Sequence, residues 1–401
     1  MILDTFHILK NTLFLSLLFL SLFTACGGSS DDADETSTCS AAWKTASAVA
    51  STKGNATVQI SGTLGTAWTA EITDGVGWCS FDYSDYSDDA ATTGGTVTDG
   101  INVCYVYFRN NSTAEQRVAT ILFTFADGGK QTLTLTQQAA GQVVVPTMGT
   151  WAETPSAVEN KNYQYVTHYA KLNGKEVRNY SMCFDKTRKV ALWVAYPLHS
   201  AYVGGVSRTD AWDFDPYVPE EAQANLFKSY RGSYDRGHQL PSGDRTGSAE
   251  LNEQTFYFSN MTPQLNKLNQ QMWMHLESEV RNQRCSDTLY VVTGAYYDAA
   301  STASTTDYMG GVCPLPTHYF KVLLRTKTGS TGKAIQDCTA MQLKSIGFWV
   351  EHKNYGDIQP PRTICMSVEA IEKKTGFTFF PTVDPAVKQD YNTSDWNINW
   401  N

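Results

Sequence analysis

Residues 231–284 read RGSYDRGHQLPSGDRTGSAELNEQTFYFSNMTPQLNKLNQQMWMHLESEVRNQR. Residues 237–240 form a short extended piece that Pro241 ends. Residues 253–260 (EQTFYFSN) carry the aromatic content of a strand. From Pro263 onward, Leu268, Met272, Leu276 and Val280 recur every four residues, the spacing of a helix with one buried stripe. The predicted order is strand, loop, strand, helix. Asn269, Trp273, Glu277 and Arg281 recur at the same interval, which places Asn269 and Glu277 on neighbouring parts of one face.

The residue types suggest a chemistry. His238 stands beside Asp235 and Arg236, with Gly237 permitting close backbone approach. Imidazole is the side chain best suited to take a proton from water near neutral pH. Asn269 offers a hard, neutral carbonyl oxygen that suits Mg²⁺, an ion that keeps several waters and takes few protein ligands. Arg236, Arg281 and Arg284 could hold phosphate oxygens. Plainer readings stand beside these: a surface histidine, a helix-capping asparagine, and an ordinary i,i+4 pair between Glu277 and Arg281.

A longer pattern is more specific. Asp235-Arg236-Gly237-His238, Ser259-Asn260-Met261-Thr262-Pro263-Gln264, and Leu268-Asn269-Gln270 with Trp273 and Leu276-Glu277 together resemble the DNA/RNA non-specific endonuclease family, whose active site is a ββα-metal finger. Similar agreement flanks this core at Ala191-Leu192-Trp193-Val194, residues 213–219, Tyr290-Val291-Val292-Thr293-Gly294, Pro316-Thr317-His318-Tyr319-Phe320-Lys321, Ile371-Glu372, Thr375-Gly376 and Phe379-Phe380. The resemblance implies an α+β nuclease domain with a central antiparallel sheet over residues 156–390, cutting DNA and RNA without sequence preference. It implies that His238 is the general base, that Asn269 holds one hydrated Mg²⁺ or Mn²⁺, and that Glu277 holds a metal-bound water. Arg236 and Arg281 would neutralise the phosphate, Asp235, Asn260 and Gln264 would bind substrate or brace the site, and Arg208 is the candidate for an upstream arginine. The alternative is a surface glycan-binding lipoprotein whose nuclease domain is degenerate; the intact Asp-Arg-Gly-His and Asn269 argue against it.

Ahead of this region, residues 43–139 are rich in Thr, Ala, Gly and Ser with alternating strand patterns. Residues 118–125 and 131–136, joined through Asp127-Gly128-Gly129, read as a hairpin. Trp68-Thr69-Ala70 and Gly77-Trp78-Cys79 add short strands, predicting an all-β immunoglobulin-like sandwich. Trp68, Asn110-Asn111-Ser112, Arg117-Val118-Ala119-Thr120-Ile121 and Leu133-Thr134-Leu135-Thr136-Gln137 resemble a BACON domain. That resemblance implies a carbohydrate or mucin partner; a spacer is the plainer role. Residues 140–155 read as a linker.

Residues 12–25 (TLFLSLLFLSLFTA) are apolar, follow Lys10 and end at Cys26. They are too short for a comfortable membrane span, so residues 1–25 read as a signal peptide. Thr24-Ala25-Cys26 resembles a lipobox, which implies lipidation of Cys26 and an outer-membrane anchor. The acidic tether of residues 26–42 resembles bacterial surface-export signals, so the expected location is the cell surface.

Over 401 residues, 42% hydrophobic, 12% aromatic and 18% charged content excludes a disordered chain, a collagen-like fibre and a coiled coil. The net charge of −9 speaks against a nucleic-acid partner only until it is divided. Residues 1–150 hold six basic and 14 acidic residues, against 25 and 26 in residues 151–401. A near-neutral second domain with a local basic cleft suits a polyanion. Nine cysteines fit an oxidising compartment, and the absence of a CxxC pair argues against zinc.

Overall fold

The computed structural model describes residues 37–139, apart from 52, 83–90, 112 and 114, and residues 151–401. The signal segment, Cys26, most of the acidic tether, Ser112 and residues 140–150 of the linker lie outside the described residues. Among those described, no helix is long and apolar enough to cross a membrane.

The N-terminal part forms two sheets. Ser40–Trp43, Gly54–Ser61, Val103–Phe108 and Cys79–Ser80 make one, while Ala48–Val49, Lys130–Gln137, Arg117–Phe125, Ala67–Asp74 and Thr92–Thr96 make the other. Alternation decides which face is buried. In Arg117–Phe125, Ala119, Ile121, Phe123 and Phe125 are buried while Val118 is exposed. They meet Val58, Ile60 and Val106 of the other sheet in one apolar cluster. The hairpin through Asp127 is present, with Arg117 opposite Gln137 and Thr124 opposite Lys130. The eight cysteines among the described residues are free, so packing rather than cross-links holds both parts together.

The C-terminal part is built on a seven-stranded antiparallel sheet. Its order is Tyr163–Leu172, Lys175–Asp185, Val190–Leu198, Leu289–Tyr296, His318–Thr326, Leu343–Glu351 and Cys365–Met366. Val190–Leu198 is buried at every position, as a strand covered on both faces must be. One face packs Met182, Val194 and Tyr196 against Leu268, Met272, Leu276 and Val280. The other packs Trp193, Val292 and Phe320 with Phe379 and with Ile371 of the helix Val368–Thr375. Val190–Leu198 and Leu289–Tyr296 are neighbours in the sheet, with Trp193 opposite Gly294. The chain between them makes one long excursion, and that excursion carries the site.

Two elements of the excursion differ from the sequence expectation. Residues 253–260 are not a strand. Ala249–Glu253 is a short helix whose cap Ser248 accepts a hydrogen bond from the Leu251 amide, and 3₁₀ turns Gln254–Phe256 and Phe258–Asn260 follow. Thr255, Phe256, Phe258 and Ser259 are all buried, so the aromatic run fills a core without alternating. The second strand is Met261–Leu265, paired with Tyr234–His238, and the helix therefore starts at Asn266 instead of Pro263. The stripe itself is as expected: Leu268, Met272, Leu276 and Val280 are all buried.

Because Leu276 is fully buried between helix and sheet, Leu276→Ala is expected to cost about 2–5 kcal/mol. A lower urea midpoint at unchanged m-value is the expected readout; an unshifted midpoint would contradict this packing.

Candidate active site

Gly237 lies opposite Thr262 where Tyr234–His238 pairs with Met261–Leu265. A Cβ at this position would come within 2.5 Å of the Gln264 side chain, so the approach requires glycine. Gln264 is fully buried there, and its amide atoms have no hydrogen-bond partner among the described residues. Beyond His238 the chain is fixed by Asn260. Its Nδ2 donates to the Leu240 and Thr255 carbonyls at 3.0 and 2.8 Å, and its Oδ1 accepts from the Leu240 amide at 2.9 Å.

The helical segment facing this pair is interrupted. The chain kinks within Asn269–Trp273, where Gln271 has the non-helical dihedrals φ −122° and ψ −110°. A break of this kind resets the helical phase, so the faces before and after it need not follow the spacing of a straight helix. Asn269 and Glu277 line the same cleft. Asn269 Nδ2 donates to Asp235 Oδ2 at 3.0 Å, and Gln270 Nε2 donates to the same oxygen at 2.8 Å. A carboxylate can only accept, so the Asn269 amide nitrogen turns to Asp235 and its carbonyl oxygen is left for another partner.

Arg208, Arg236, His238, Asn269, Glu277 and Arg281 line one open cleft of about 300 Å³. Asp235, Asn260 and Gln264 stand behind it as supports. Arg284, beyond the end of the helix Met274–Asn282, is not part of the lining.

Each arginine is aimed by neighbours. The Arg236 guanidinium lies 3.6 Å from the Trp212 ring centroid and donates to the Leu226 and Phe227 carbonyls at 2.9 and 3.1 Å. Arg208 donates to Asp210 at 2.8 Å and to Ser242 Oγ at 3.1 Å. Arg281 Nε donates to Asp244 Oδ1 at 2.6 Å. Against burial, the charge and hydrogen bond of Asp244 hold Arg281 above the ordinary guanidinium range. Gly243 leaves room for this arrangement, since a Cβ there would sit 2.7 Å from Arg281 Nη2.

Burial pushes the His238 imidazole down to about 3, with Arg208 and Arg236 adding to the shift and a hydrogen bond to the Arg236 backbone opposing it. The ring is flanked by Trp212 and Phe256, at centroid distances of 5.6 and 5.1 Å. Its Nε2 has no hydrogen-bond partner among the described residues. The imidazole is therefore neutral near physiological pH, and a nitrogen lone pair is available to accept a proton. Burial pushes Glu277 up to about 7, with Asp244 adding to the shift and Lys321 and Arg281 opposing it. Trp273 Nε1 donates to Glu277 Oε1 at 3.0 Å.

Three contributors escape a reading of the sequence. Trp212 supports Arg236 and His238, and Asp244 orients Arg281. Lys321 is fully buried, 4.6 Å from the Trp273 ring centroid and 3.2 Å from Thr293 Oγ1. Their partners are distant in the chain: Asp244 gains its role only through Arg281 and Tyr196. The one available signal for Asp244 is its place in the Gly243-Asp244-Arg245 run just past the histidine.

Residues 159–386 match the sequence profile of the DNA/RNA non-specific endonucleases. A nuclease of Syncephalastrum racemosum is 33% identical over 229 residues, covering 52% of this chain and 68% of that protein. Mitochondrial endonuclease G of Bos taurus is 27% identical over 218 residues, covering 52% of this chain and 69% of its own. A nuclease of Nostoc sp. is 27% identical over 238 residues, covering 59% and 79%. The chain belongs to the DNA/RNA non-specific endonuclease family. It is an enzyme, a sugar-nonspecific endonuclease.

The depressed His238 has a consequence for stability. A histidine held from 6.5 down to about 3 favours the folded state above 6.5, and that contribution is lost as pH falls toward 3. Between about pH 7 and about pH 4.5 the urea midpoint is expected to fall, and to fall less in His238→Ala. An equal fall in both proteins would contradict a shielded ring.

Proposed function

We propose that this protein is an exported, lipid-anchored endonuclease that hydrolyses phosphodiester bonds of DNA and RNA with the help of one divalent cation, Mg²⁺ or Mn²⁺. The observation that carries the reading is a neutral His238 with an unpartnered Nε2 in one cleft with Asn269 and three arginines. Nε2 takes a proton from the attacking water as the water oxygen bonds to phosphorus; the opposite P–O ester bond breaks, and the departing sugar oxygen keeps its electron pair and is protonated by solvent. Arg236 and Arg281 face the charge that develops on the phosphate oxygens. Asp244 keeps the Arg281 guanidinium in place, and Trp212 with the Leu226 and Phe227 carbonyls does so for Arg236. Arginines reading phosphate carry no base information, which accounts for indiscriminate cutting.

The residues present fit a hydrated divalent ion. Asn269 would hold it through the carbonyl oxygen that its bond to Asp235 leaves open, and Glu277 would hold its hydration shell through Oε2. When bound, the ion supplies charge stabilisation at the phosphate and the departing oxygen.

The rest of the chain completes the reading. Residues 1–25 serve as the lipoprotein signal, Cys26 as the lipidation site, and residues 26–42 as the tether. Residues 43–139 are an immunoglobulin-like, BACON-like sandwich that lifts the enzyme from the membrane and offers a surface for carbohydrate. Residues 140–155 link it to the nuclease domain, residues 156–390.

Protein lacking the first 26 residues is expected to degrade supercoiled plasmid and RNA with Mg²⁺ and to stop with EDTA. His238→Ala should retain its circular dichroism spectrum and lose about 10²–10⁴-fold in rate. Asn269→Ala should lose activity and require more metal. Full activity in His238→Ala, or an inert wild type across several divalent ions, would refute the assignment.

A further inference from the structure

Arg109 belongs to the N-terminal sheets and ends inside the loop that supports the cleft. Its backbone is fixed on the sandwich side: the amide donates to the Trp78 carbonyl at 3.0 Å, and its carbonyl accepts from Gln137 Nε2 at 2.8 Å. Its side chain, 3% exposed, crosses to the other part of the chain. Nη1 donates to Glu220 Oε1 at 2.9 Å, and the guanidinium carbon lies 5.0 and 4.6 Å from the ring centroids of Phe214 and Phe227. Close by, Lys53 Nζ lies 3.1 Å from Asp213 Oδ2.

The residues that receive these contacts are the ones that hold Arg236. Asp213 and Phe214 directly follow Trp212, on whose ring the Arg236 guanidinium rests. Phe227 supplies one of the two carbonyls that Arg236 bonds. Phe214, Phe227 and Phe258 also pack edge to face, at 5.8, 5.0 and 4.8 Å between centroids. A cation wedged against two of these rings, and paired with a carboxylate, ties ring positions to backbone positions.

We propose that Arg109, assisted by Lys53, is a positioning residue for Arg236: the N-terminal sheets brace residues 212–227 so that Arg236 is presented to the scissile phosphate. The inference rests on the endonuclease reading above and gives the N-terminal part a role in catalysis beyond that of a spacer. Removing Arg109 empties the space against Phe214 and Phe227 and leaves the Glu220 carboxylate, already raised by burial, without its partner. The loop then relaxes and Arg236 loses its aim.

The test uses the protein without its first 26 residues, with Arg109→Ala, Arg236→Ala and the double variant, assayed on plasmid with Mg²⁺. Arg109→Ala should lower kcat about tenfold at little changed KM, the size expected of a misplaced catalytic group. In the Arg236→Ala background the same change should cost less than about twofold, because both act through one interaction. Wild-type kcat in Arg109→Ala, or a full multiplicative loss in the double variant, would overturn the proposal. If Arg109→Ala does not fold, Lys53→Ala takes its place with a smaller drop and the same non-additivity, since the Lys53 side chain is 39% exposed. Hydrogen exchange over residues 212–238 reads the brace without substrate. Faster exchange in Arg109→Ala is expected, and unchanged exchange overturns the brace even if the endonuclease reading were to fail on its own.

Discussion

A strand buried on both faces cannot shift without opening two cores, and the cleft is hung from one. The Ala191 carbonyl accepts from Gln239, the residue after His238. The Pro197 carbonyl accepts from Arg245 Nη2 at 2.9 Å, and the Tyr196 hydroxyl donates to Asp244 Oδ2 at 3.1 Å. Through Asp244 the same strand orients Arg281. His238 and Arg281 are thus both referred to Val190–Leu198, although one comes from the middle of the long excursion and the other from near its end. Preorganised catalytic groups need this kind of rigid reference, because misplacement by an ångström is costly.

Two charged pairs around the cleft each place one member in the interior. Asp244 is almost fully buried, while the Arg281 side chain it holds is 24% exposed. Burying a carboxylate costs solvation, and a buried pair adds little net stability. Its value here is directional, since the cation of the pair is the outer member and can meet an anion. The order is reversed one step inward, where the cation is the buried member: Lys321 opposes the upward shift of Glu277, whose side chain lines the cleft. His238 has no acid partner of this kind. Two arginines and burial keep it neutral, which suits a group that must start without a proton.

The sequence displayed the site well where its parts are contiguous. Asp235-Arg236-Gly237-His238 and Leu268-Asn269-Gln270 are each short runs, and the four-residue recurrence of Leu268, Met272, Leu276 and Val280 survives folding as one buried stripe. Residues 253–260 were misleading because a strand-like aromatic content served a compact turn-rich core. The kink within Asn269–Trp273 gave no signal, since neither glycine nor proline marks it. Trp212, Asp244 and Lys321 needed tertiary contacts to acquire meaning, as did Arg109, which looked like any other residue of a β-rich segment. Hairpin alternation in Arg117–Phe125 was legible because a period of two and a Gly-rich turn are both local.

The buried thiols described earlier bear on what chemistry the fold exposes. Burial pushes Cys104, Cys183, Cys313 and Cys365 up to about 12, and Cys79 is raised further. Only the thiolate reacts with oxidants or disulfides, so burial that holds a thiol protonated also slows it. No bridge joins the described cysteines, and these five are shielded by burial, so the described packing does not rest on an oxidised cross-link.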